Sequence, residues 1–106
     1  MIGEFIYIVR PARAGMVADA PTDTVRAIID EHFEYVQSLI KEGRALLVGR
    51  TDTPTEETFG LVIFRADDFA SAVVLAEADP AVLQGVMRAE VYPFRIVLLS
   101  ETWSTT

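Results

Sequence analysis

The residue with the clearest chemical potential in this 106-residue chain is its only histidine, His32. It falls midway between Ile28 and Val36 on the apolar stripe of a helical pattern, so its imidazole is expected to face the interior. A buried imidazole needs hydrogen-bond partners, and a carboxylate partner favours its charged form, an arrangement suited to general acid–base catalysis. Asp79 is the candidate partner. Standing before Pro80, it is a good N-cap for a short helical turn, and one carboxylate oxygen can cap while the other orients the imidazole. Each residue also has a plain structural reading, as a satisfied core histidine and as a simple cap, and spacing alone does not bring the two together.

Three further residues are candidates for substrate binding. Tyr35 lies one turn along the helix from His32 and can offer a phenol to a substrate oxygen, although aromatic residues at helical spacing commonly serve packing. Gly49, inside a strand pattern, marks either a bulge or a close approach of ligand to backbone. Arg50 beside it can bind an anion, its structural alternative being a solvated strand-end cation. The aromatic set Phe5, Tyr7, Phe64, Tyr92 and Phe94 lines core and cleft walls, without any sign of which does which.

Composition removes several other chemistries. Without cysteine there is no disulfide, thiolate nucleophile, iron–sulfur cluster or cysteine zinc site, and a single histidine excludes a histidine-rich metal centre. Neither a glycine-rich phosphate or dinucleotide loop nor a serine nucleophile elbow is present, so no cofactor is expected. A net charge of −7 disfavours nucleic acid as a partner, and the basic-aromatic strand motif that stacks bases is missing. No apolar run reaches the roughly 20 residues of a membrane helix, and the start lacks a basic leader, so no membrane association and a cytoplasmic location are expected.

Glu4 to Arg10 is a first strand, and Pro11 to Thr22 a long connection and candidate lid. A helix from about Thr24 to Glu42, capped by Thr22 or Asp23 and stopped by Gly43, carries His32. Ala45 to Thr51 and Phe59 to Arg65 form a hairpin. A second helix follows Asp67 or Asp68 and runs to about Ala78; the turn opened by Asp79-Pro80 closes at Gly85, and Ala89 to Leu99 is the last strand. The order βαββαβ implies one α+β domain of ferredoxin-like type, with a four-stranded antiparallel sheet and both helices on one face. The strands are apolar on both faces: Ile6 and Ile8 oppose Phe5, Tyr7 and Val9, Leu61 and Ile63 oppose Val62 and Phe64, and Ile96 and Leu98 oppose Val97 and Leu99. Two helices cover one face only, so a face-to-face homodimer is expected, with Trp103 in the tail as a candidate contact.

His32-x-x-Tyr35, Leu39, Gly43, Leu47, Gly49, Asp79-Pro80 and Gly85 together resemble the pattern of the YciI-like family across nearly the whole chain. The resemblance implies a dimeric α/β barrel and a His–Asp dyad in a cleft, carried onto His32 and Asp79. It also implies proton chemistry on a small, aromatic or anionic metabolite, since relatives include a dehydrochlorinase of a chlorinated hydroxyhydroquinone, and muconolactone isomerase has a similar barrel. The chain departs from the commoner Gly-Pro of the second strand with Gly49-Arg50, and its segment after the first strand is longer. The expectation is a small elimination or isomerisation enzyme. The alternatives are a non-catalytic ligand-binding or sensory module using the same cleft and, more remotely, haem held on His32.

Overall fold

Thr22 opens the first helix: its Oγ1 accepts the Val25 N–H at 3.1 Å, satisfying a donor that has no partner within the helix. The helix, α1, spans Asp23–Lys41 and buries Ile28, Val36 and Leu39. It stops at Gly43, whose φ of +73° lets the chain reverse so that the Arg44 N–H reaches the Leu39 carbonyl at 2.9 Å. These features belong to a computed structural model that describes residues 3–13, 22–54 and 57–103.

The other elements are β1 (Gly3–Pro11), β2 (Ala45–Arg50), β3 (Gly60–Ala66), α2 (Phe69–Glu77), α3 (Pro80–Leu83) and β4 (Met87–Pro93). The four strands form one antiparallel sheet in the order β2-β3-β1-β4. This is the ferredoxin-like arrangement expected from βαββαβ, and Tyr7 of β1 sits at its centre, opposite Val62 on one side and Val91 on the other. Phe5, Tyr7, Val9, Val62 and Phe64 point to the helix side, where they pack with Val36, Leu39, Ala72, Leu75 and Ala76. Ile28, Ala81 and Val86 make a smaller cluster that fixes α3 against α1. Among the described residues no helix is long and apolar enough to cross a membrane.

Two expectations need correction. The last strand ends at Pro93, short of Leu99. Its partner β1 begins at Gly3 and Phe5 already faces Pro93, so after the Phe94 N–H bonds the Glu4 carbonyl at 3.0 Å there is almost no strand left to pair with. Val97 and Leu98 consequently stand 80% and 92% exposed, and the two-faced pattern holds for β1 and β3 but not for residues 96–99. The second correction concerns β2. The pairing with β3 slips between Ala45 and Leu47, placing a bulge there, not at Gly49. Of the candidate lid, residues 14–21 lie outside the described residues.

Candidate active site

Asp79 is completely buried, an expensive place for a carboxylate unless its oxygens are satisfied. They are satisfied by donors from three elements. The Ala81 N–H of α3 donates to Oδ1 at 3.0 Å, as expected of an N-cap, and the Tyr7 hydroxyl of β1 donates to Oδ2 at 3.0 Å. His32 Nδ1 of α1 lies 2.8 Å from Oδ1 and 2.7 Å from Oδ2. The two residues singled out in sequence therefore meet, 47 positions apart, because α3 packs on α1 through Ile28 and Ala81. An ionised carboxylate only accepts hydrogen bonds, so with Asp79 ionised the pair is joined by a proton carried on Nδ1.

The His32 side chain is 12% exposed and forms part of the wall of a cavity of about 360 Å³. Ile29, Phe33 and Val36 of α1, Val48 and Val62 of the sheet, and Met87 make the cavity largely apolar. His32 Nε2 makes no hydrogen bond to the described residues and is the nitrogen left to meet a ligand. Arg50 and Thr58 supply the remaining polar groups of the lining.

The bulge in β2 decides where Arg50 goes. Strict alternation from Ala45, a core residue, would put Leu47 and Gly49 on the helix side and Arg50 on the opposite face. The slipped register instead pairs Val48 with Val62 and Arg50 with Gly60, which returns Val48 and Arg50 to the helix side and into the cavity lining. Gly60 matters here as well, since a Cβ on it would come within 3.1 Å of Val9 Cγ2. Gly49 lines the cavity, and a Cβ on it would meet nothing closer than 3.9 Å.

Tyr35 goes elsewhere. Its hydroxyl donates to the Leu75 carbonyl at 2.7 Å, tying α1 to α2, and it is not among the cavity residues. The structure thus gives it a packing role in place of the substrate contact expected. Tyr7, which the sequence places among the aromatics of core and cleft walls without distinguishing them, is the phenol that reaches Asp79. The available signal was a phenol on an otherwise apolar, helix-facing row, because a buried hydroxyl must find an acceptor. Among the described residues, no group of three His, Asp or Glu side chains is placed to hold a metal ion.

Burial first, and then the charge of Asp79, hold the Tyr7 phenol well above its ordinary range, and Tyr35 is raised by the same causes in the same order. A phenol that keeps its proton longer when folded contributes stability in full below its unfolded pKa of about 10, and that contribution is lost as pH rises further. Thermal unfolding followed into alkali should show stability falling above about pH 10, by up to about 1.4 kcal/mol per pH unit for the buried Tyr7 phenol and by less for the part-exposed Tyr35. Tyr7→Phe should lessen that slope by one proton's share.

A family model for the YCII-related domain matches residues 6–95. No curated protein sequence is detectably similar to the chain. Among solved structures, the chain is similar to 5-chloro-2-hydroxyhydroquinone dehydrochlorinase (TftG) from Burkholderia phenoliruptrix AC1100, in complex with 2,5-dihydroxybenzoquinone. The two share 18% identity with a TM-score of 0.54, over 86% of this chain and 93% of that one, a likeness of fold.

Proposed function

Because the chain belongs to the family of YCII-related domains, we propose that it is a small proton-transfer enzyme whose base is His32, oriented by Asp79. The observation that carries this reading is the pairing of His32 Nδ1 with a fully buried carboxylate at the wall of an apolar cavity. Nε2 takes a proton from the substrate, and Asp79 stabilises the imidazolium that forms. The electron pair released then either expels a leaving group from the neighbouring carbon or shifts a double bond, with the imidazolium returning the proton at a second carbon. The first course is an elimination and the second an isomerisation.

The substrate class follows from the lining. Apolar walls suit a small ring, and Arg50 suits an anionic substituent on it, a carboxylate or a phenolate. The dehydrochlorinase of similar fold, with its hydroxyhydroquinone substrate, supports the choice of probes. Incubation with halogenated and hydroxylated hydroquinones and with unsaturated lactones, followed by chromatography and chloride release, is expected to reveal turnover. Binding without turnover across that panel would point instead to a ligand-binding module. For an anionic ring substrate, Arg50→Ala is expected to raise KM about tenfold to a hundredfold, the worth of a hydrogen bond to a charged group, with little change in kcat.

The active form is proposed to be a homodimer in the cytoplasm. Ile6, Ile8, Leu61 and Ile63 share the sheet face away from the helices, joined by Leu47, 47% exposed, in an apolar patch that a second sheet would cover. Trp103, 83% exposed, is an added contact in this arrangement. Sedimentation of the wild type at micromolar concentration is expected to give a dimer, and Ile63→Glu a monomer. A monomeric wild type would contradict the assembly.

A further inference from the structure

Tyr7 does more than fill the core. A phenylalanine there would keep the edge-on contact with the Phe64 ring, whose centroid is 5.6 Å away, and would spare the desolvation of a hydroxyl at a fully buried site. The hydroxyl has one hydrogen bond among the described residues, to Asp79 Oδ2, and no buried side-chain polar atom described is left without a partner. The sheet and α3 therefore grip the same carboxylate, β1 through Oδ2 and α3 through Oδ1.

We propose that Tyr7 is a positioning residue of the active site, whose hydroxyl locks the Asp79 carboxylate against rotation and so fixes the orientation and tautomer of His32. The proposal rests on the reading of His32 as the base. Without Tyr7, the Ala81 N–H would hold one oxygen and the only other contact of the carboxylate would be the His32 ring that it has to orient. With Tyr7 on the other oxygen, both oxygens stay within 2.8 Å of His32 Nδ1. The imidazole then keeps its proton on Nδ1 and its lone pair on Nε2, the nitrogen without a partner among the described residues. The phenol is a dependable donor because burial, with the Asp79 charge behind it, keeps it protonated. Since β1 also carries Val9 and Pro11 into the cavity wall, the strand that shapes the cavity also sets the base.

The test separates positioning from packing. Tyr7→Phe keeps the ring and loses the hydroxyl, whereas Phe64→Leu disturbs the packing around Tyr7 and leaves the hydroxyl in place. Long-range 1H–15N spectra are expected to show the His32 ring protonated on Nδ1 in the wild type and in Phe64→Leu, and divided between both tautomers in Tyr7→Phe. With a substrate in hand, Tyr7→Phe is expected to lower kcat about tenfold to a hundredfold, with KM within about twofold, an effect of the size of one hydrogen bond to a charged group. In the wild type alone, the Tyr7 hydroxyl proton should resist exchange and show a cross-peak to the His32 Nδ1 proton. Tyr7→Phe with unchanged ring-nitrogen shifts, or a wild type lacking that protected hydroxyl, overturns the role of Tyr7. A wild-type imidazole bare at Nδ1 instead overturns the reading of His32 on which the proposal rests.

Discussion

Replacing Asp79 with alanine is expected to lower stability by about 2 to 4 kcal/mol, chiefly from two of the three contacts it loses, since the part-exposed His32 can turn to water. The cap on α3 is worth about 1 kcal/mol. The Tyr7 hydroxyl, left buried without an acceptor, costs about 1 to 3 kcal/mol more. For a domain of this size the melting temperature should fall by roughly 10 to 25 °C. Adding Tyr7→Phe to Asp79→Ala removes the orphaned hydroxyl and should recover part of the loss, a coupling that a double-mutant cycle in urea measures directly. Additive effects would mean that the hydroxyl and the carboxylate are energetically independent, contrary to the contact described.

The second large effect is on chemistry. His32→Asn is expected to lower turnover about a hundredfold to ten-thousandfold, the usual share of a positioned general base. The Asn side chain presents an amide donor near the place of Nδ1, so Asp79 keeps a partner and the fold should stay within about 1 kcal/mol of wild type. Activity lost with stability kept is the pattern that separates a base from a core histidine. Retained turnover would return His32 to a structural role.

Much of this arrangement is legible in the chain itself, and where it is not the reasons are physical. The inward direction of His32 follows from its place between Ile28 and Val36, and the cap at Asp79 from the proline after it, because both depend on local periodicity and local backbone chemistry. Their meeting depends on how α3 packs against α1, a tertiary fact that resemblance to a family could suggest but spacing could not. Arg50 was a candidate whose direction could not be read. The bulge that turns it toward the cavity lies between Ala45 and Leu47, in a run of Ala, Leu, Leu and Val that alternates equally well in either register. The last strand looked longer than it is because Phe94 to Leu99 has strand character, while its length is set by where β1 begins. Tyr35 stands in the sequence as a substrate-binding candidate and Tyr7 only among the aromatics of core and cleft walls, although both are phenols in apolar surroundings. Only the acceptors they reach, the Leu75 carbonyl for one and the Asp79 carboxylate for the other, assign the first to the scaffold and the second to the site.

Asp79 is proposed to hold a proton on His32 Nδ1, leaving Nε2 as the ring nitrogen offered to the cavity. A long-range 1H–15N correlation spectrum of the single imidazole, in the wild type and in Asp79→Asn, tests it with no substrate required. The expected result is Nδ1–H in the wild type and a shift toward Nε2–H in the variant, where the carboxylate acceptor is gone. An Nε2–H imidazole in the wild type, unchanged by Asp79→Asn, would contradict it, because a bare Nδ1 cannot donate to the buried carboxylate and the cavity would then face a proton in place of a base.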